Sequence, residues 1–164
     1  MARLVLTDAS PLIGLSLVDG LPWLAALFGE VWMPEEVRSE VLSGSGFPGE
    51  QAIRGAMGRG WLRLWSQPVG ELPLPDLDEG EAACIRIAMG HGGESLVLMD
   101  ERAGRATALE MGLQVAGTAA VIGMAKTRGL VASAREVFAS LHESDLRISG
   151  EAIRTVLTRE GEWM

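Results

Sequence analysis

Five short apolar runs alternate with stretches of helical spacing, and that alternation constrains the fold more than any other feature of the chain. The runs cover residues 3–7, 30–33, 61–65, 95–99 and 113–116. Strands separated by helices imply a parallel sheet covered on both faces. The expected class is therefore α/β, with helix, sheet and helix in three layers. Ser10 before Pro11 reads as a hydroxyl cap followed by a proline that opens a helix, and Pro34 opens another. Further helices are expected over 22–28, 34–42, 50–57, 78–89, 101–111, 118–128, 133–141 and 150–158. At 164 residues with 48% hydrophobic side chains, the chain suits one domain over 1–164. Its core spans about 3–130, with added C-terminal helices over 133–160. The Gly- and Pro-rich stretches 43–49 and 67–78 read as loops within it.

Parallel sheets present ligands at the carboxyl ends of their strands, and two aspartates stand there. Asp8 follows Leu4-Val5-Leu6-Thr7, and Asp100 follows Leu96-Val97-Leu98-Met99. Asp is also a common helix cap. That role is open for Asp100 and weaker for Asp8, because Ser10 takes the cap position. Glu40 flanks the apolar pair Val37 and Val41 on its helix, where a solvated edge glutamate is the plainer reading. Asp78 with Glu81 has the spacing of a capping box. Brought to one point, Asp8, Glu40, Glu81 and Asp100 would repel. Two such charges about 5 Å apart interact by roughly 3 kcal/mol at an effective dielectric near 20. Raised pKa values or a bound cation would relieve this, and an all-oxygen set suits Mg²⁺ or Mn²⁺ rather than zinc.

Charge narrows the function further. The net charge of −8 argues against a broadly basic nucleic-acid-coating surface and against an anionic membrane partner. The excess is local. Residues 71–100 hold seven acids and one base, while residues 101–135 hold five bases and two acids. Arg102, Arg105, Lys126, Arg128 and Arg135 make up that basic segment. On the carboxyl edge of the sheet they would guide phosphates toward the acids. No apolar run reaches the roughly 20 residues a bilayer span needs, and Asp8 interrupts the early apolar stretch that a secretory signal would require. A single cysteine, Cys84, excludes an internal disulfide and a cysteine zinc site, and fits a cytoplasmic location.

These stretches, in this order, resemble the PIN-domain ribonucleases, in particular the prokaryotic VapC-like and uncharacterised PIN-like branch. The resemblance runs through residues 6–13, 33–41, 80–85, 98–103 and 112–118. It implies the three-layer α/β/α PIN-like fold and RNA cleavage with Mg²⁺ or Mn²⁺. Asp8, Glu40 and Asp100 match metal carboxylates of the family. Glu81 falls where the toxins usually carry Asp, and the uncharacterised branch carries Gly-Glu. Ser10 and Thr118 match polar residues near the site. Toxin members are restrained by an antitoxin protein and often form homodimers. The competing expectation is a PIN-like module of weak or lost catalysis that acts through RNA or protein binding.

Other signals point elsewhere or nowhere. Gly44-Ser45-Gly46-Phe47-Pro48-Gly49 follows a helix instead of a strand and lacks the context of a dinucleotide site. Lys126-Thr127 has no preceding phosphate-loop glycines. A phosphotransfer receiver needs an acid pair on the first strand, and Asp8 has no acidic neighbour. Neither His91 nor His142 belongs to a paired-histidine motif. Cys84 and the tryptophans Trp23, Trp32, Trp61 and Trp65 read as core or edge residues.

Overall fold

The structure is a computed structural model that describes residues 3–144, 146 and 148–163. Residues 1, 2 and 164, the ends of the expected domain, lie outside the described residues. Five strands form one all-parallel sheet: β1 Leu4–Thr7, β2 Val31–Met33, β3 Leu62–Leu64, β4 Ser95–Leu98 and β5 Gln114–Ala116. Their spatial order is β3-β2-β1-β4-β5. All four residues of β1 and of β4 are buried, which is why both read as continuous apolar runs. They pair in register from Leu4 with Ser95 to Thr7 with Leu98.

From β1 the chain moves toward one edge of the sheet, and from β4 it moves toward the other. The boundary between β1 and β4 is therefore the point where the winding reverses, and a crevice opens there at the carboxyl ends. Helices α1 Ala9–Ser16, α2 Leu21–Phe28 and α4 Glu50–Gly58 pack with α7 Thr118–Thr127 on one side of the sheet. Helices α5 Glu79–His91 and α6 Arg102–Glu110 pack together on the other. The short α3, Glu35–Val41, bridges α1 and α5. Helices α8 Ala134–Glu143 and α9 Gly150–Arg159 lie against α7 and each other. Phe138, Leu141, Val156 and Leu157 carry them into the same buried cluster as Leu6, Leu12, Ile85, Leu98 and Ile122. Truncating one such fully buried leucine typically costs 2–5 kcal/mol.

One expected boundary is corrected. Helix α1 begins at Ala9, so Asp8 and not Ser10 holds the N-cap position, with extended φ −79° and ψ 175°. Pro11 is then the third helical residue, where its missing N–H still falls among the free donors of the first turn. Asp8 makes no side-chain capping bond, and its carboxylate is left for something else. Among the described residues no single helix is long and apolar enough to cross a membrane.

Candidate metal centre

The site is assembled from four elements that meet at the end of β1. Asp8 continues the strand: its N–H donates to the Leu98 carbonyl at 2.9 Å, so the backbone is fixed by β4 before α1 turns away. Helix α5 supplies the next two acids. Asp78 caps it, accepting from the Glu81 N–H at 2.8 Å, while Glu81 Oε1 accepts from the Asp78 N–H at 3.2 Å. The capping box read from the sequence is therefore formed. The same box turns both carboxylates toward Asp8. One oxygen from each of Asp8, Asp78 and Glu81 lies within 4.8 Å of the other two.

Glycines make this approach sterically feasible. A Cβ at Gly80 would lie 2.8 Å from Asp8 Oδ1 and 3.2 Å from a Val37 methyl. A Cβ at Gly104, on α6, would lie 2.5 Å from Glu81 Oε2. The Gly80-Glu81 pair thus has a geometric reason: the first residue leaves room for the carboxylate that the second faces.

Electrostatics give the group its character. Asp8 is 6% exposed. Its carboxyl is pushed up to about 7, first by burial and then by the charges of Asp78, Glu81 and Glu40, with the Ala9 backbone N–H opposing. Glu81 is raised by burial and further by Asp78 and Glu101. Glu40, on α3 beside the buried Val37 and Val41, is raised by partial burial and by Asp78. Cys84 lies buried one turn along α5, its thiol held well above its ordinary range by burial and the surrounding acids, so it stays protonated.

A cation fits this donor set. Glu81 Oε2 is buried with no hydrogen-bond donor facing it. Such atoms are rare in native proteins, and an ion bound there is one recognised explanation. Three carboxylates gathered within ligand spacing, with every resolved shift in the group upward, favour a hard divalent ion with oxygen ligands.

The remaining predicted residues fall into three places. Asp100 is beside the crevice on the β4 side, and both its oxygens are engaged: Oδ1 accepts from the Thr118 N–H and Oδ2 from the Thr118 hydroxyl, each at 2.7 Å. It caps neither its own helix, whose N-cap residue is Glu101, nor does its charge figure among those raising Asp8. Thr118 is fully buried at the start of α7. Ser10 lies half-buried in the first turn of α1. Arg102 and Arg105 border a cleft that also contains Asp100.

The expectation of one basic edge is corrected for Lys126 and Arg128. Helix α7 starts at the carboxyl edge and runs back across the sheet, so both residues emerge at the amino edge. Lys126 Nζ donates to the Ala132 carbonyl at 2.7 Å and lies 3.8 Å from Glu162, and Arg128 shares a cleft with Arg3. Arg135 lies at the start of α8, donating to the Glu162 carbonyl. Asp78 is the residue that sequence reasoning missed as a site member. Its capping role accounted for its position, and the proximity to Asp8 spans 70 positions of chain.

Comparison with known proteins bears on the whole chain. The family model described as PIN domain matches residues 4–162. Neither the curated proteins nor the solved structures compared gave a match.

Proposed function

This chain belongs to the PIN-domain family, whose members are typically nucleases that use divalent metals, and on that premise we propose that it hydrolyses RNA phosphodiester bonds. The observation that carries the reading is the Asp8–Asp78–Glu81 group at the reversal point of the sheet, with one buried Glu81 oxygen facing no donor.

Asp8, Asp78 and Glu81 would hold Mg²⁺ or Mn²⁺, with Glu40 and Asp100 at the rim completing the carboxylate set. When bound, such an ion supplies a water of lowered pKa and positive charge opposite the phosphoryl oxygens. The protein's own contribution is positional. The β1–β4 ladder fixes the Asp8 backbone, and the capping box fixes the rotamers of Asp78 and Glu81. Thr118 presents Asp100 through two hydrogen bonds, the kind of outer support that keeps a ligand set in place. Ser10, in the first turn of α1, would support the same site. No histidine belongs to the group, so the carboxylates would handle protons through metal-bound water.

The test is cleavage of defined RNAs with Mn²⁺, Mg²⁺ or EDTA, comparing the natural protein with Asp8→Asn. Metal-dependent cleavage lost in the variant supports the reading. Full activity in Asp8→Asn, or none in the natural protein, overturns it. A binding module without turnover is the second reading. It is favoured by one observation: capping already occupies Asp78 and one oxygen of Glu81. The toxin role, with an antitoxin and a homodimer as partners, rests on the resemblance. Growth arrest on expression, relieved by Asp8→Asn, tests it.

A further inference from the structure

Two clefts outside the carboxylate group share a wall. The larger, of about 580 Å³, is bordered by Asp100, Arg102, Arg105 and Arg159 among others, where α6, α7 and α9 approach one another. The smaller, of about 290 Å³, contains Arg3, Arg128 and again Arg159, at the amino edge of the sheet. Arg159 lines both and so stands between them. Together they place five arginines on the α7–α9 side of the domain, from Asp100 at the carboxyl edge to Arg3 at the amino edge.

Lining the clefts, not being unpaired, sets these five apart, since among the described residues Arg59, Arg86, Arg135 and Arg154 have no carboxylate partner either. Arg38, Arg54 and Arg63 each form an ion pair with a glutamate, and Lys126 approaches Glu162. Among the described residues, none of Arg3, Arg102, Arg105, Arg128 and Arg159 has a carboxylate partner within 4.0 Å. Arg105 is steadied instead by the Met99 carbonyl at 3.3 Å, and Arg3 by the Gln114 side chain at 3.1 Å. In a chain of net charge −8, five guanidinium groups gathered in two neighbouring clefts are a local reversal of sign. Two acids share the larger cleft. Asp100 is engaged by Thr118, and Glu151 lies exposed on α9. The cleft wall is otherwise small where α7 and α9 face each other, at Ala119, Ala120 and Ala152.

We propose that this group of arginines is a track for the backbone of single-stranded RNA, leading from the carboxylate cluster across α6, α7 and α9 to the amino edge. Its placement as a substrate path rests on the nuclease reading, and its binding does not. Guanidinium groups match phosphate oxygens in bidentate pairs, and such contacts position a strand without reading its sequence. The ten residues of α9 extend about 15 Å. At about 3.4 Å per nucleotide of a stacked strand, that accommodates roughly four nucleotides.

The experiment measures binding of the full chain to labelled single-stranded RNA in EDTA, so that cleavage is not needed. The probes are roughly 12 and roughly 4 nucleotides long, within single-strand site sizes. Arg102→Ala and Arg159→Ala are expected to weaken binding of the longer RNA several-fold. Each should flatten the slope of log affinity against log salt by about 0.7. Arg3→Ala and Arg128→Ala should weaken the longer RNA and spare the shorter. Arg59→Ala, outside both clefts, should leave both unchanged. Circular dichroism and melting identical to the natural protein confirm that these exposed substitutions leave the fold intact. Unchanged affinity and salt slope in Arg159→Ala overturn the track. So does arginine-dependent binding of a poly-glutamate peptide with no binding of RNA. Arginine-dependent RNA binding without Mn²⁺-dependent cleavage sustains the track and removes the nuclease reading. Cleavage that is indifferent to Arg102 and Arg159 does the reverse.

Discussion

Asp8 and Asp100 stand just past the carboxyl ends of two strands that pair with each other, yet the fold gives them opposite surroundings. Asp8 is closed in by α3 and α5, which bring Glu40, Asp78 and Glu81 toward it, and its carboxyl is held near 7. Asp100 meets the start of α7, where the N–H and hydroxyl of Thr118 donate to its two oxygens. A helix N-terminus favours a carboxylate, whereas burial among like charges disfavours it. The strand-end position selects where the acids sit. The neighbouring helices decide whether each is a strained acid that a cation relieves or a settled one that a threonine holds.

The sharpest way to break this contrast is the pH dependence of stability without metal. The native pKa of Asp8 lies above its ordinary 3.8. Between about pH 4 and 7, then, only the native state keeps the proton, and stability falls as pH rises. The loss is about 4 kcal/mol in all, about 3 of it between pH 5 and 8. Glu40 and Glu81 shift the same way and add to the slope. Chemical denaturation in EDTA at pH 5 and pH 8 should show this loss, and Mg²⁺ should restore stability at pH 8. Asp8→Asn should flatten the profile. A slope that survives Asp8→Asn would show that the contrast is drawn in the wrong place.

Cleavage comes next. Asp8→Asn is expected to lower metal-dependent turnover by a hundredfold or more, about 3 kcal/mol. For Asp100→Asn the expected loss is about 10–100-fold, as for residues that support a metal site from its rim. Equal losses would merge the two aspartates into one inner set. A smaller effect isolates the holder: Thr118→Val should cost roughly tenfold in turnover. The smallest separates the two roles of Asp78. Asn caps a helix as well as Asp does, so Asp78→Asn should alter metal-free stability by less than about 1 kcal/mol. The metal-induced rise in melting temperature should nonetheless shrink. An undiminished rise would confine Asp78 to capping.

Much of this architecture was legible in the chain itself. All five strands lie within the predicted runs; the central β1 and β4 are buried throughout because both faces of the sheet are covered, while the edge strands β3 and β5 carry the exposed Arg63 and Gln114. The capping box at Asp78 and Glu81 follows from short-range spacing. The start of α1 was misplaced by two residues because Ser10-Pro11 is a cap signal only if the chain has not already turned at Asp8. Reading Lys126 and Arg128 as neighbours of Arg102 and Arg105 failed for a different reason. Helix α7 carries its last turn to the opposite edge of the sheet, so nearness in sequence became distance in space.

The sequence by itself determined the alternation of strand and helix, the parallel sheet and the aspartates at the ends of β1 and β4, because backbone propensity, capping and hydrophobic period act over a few residues. Only the tertiary structure decided that Asp78 joins Asp8, that Thr118 engages Asp100, and that Arg159 lines two clefts together with Arg3, Arg102, Arg105 and Arg128. Electrostatics and hydrogen bonding act through distances of a few ångströms, and packing sets those distances between residues far apart in the chain.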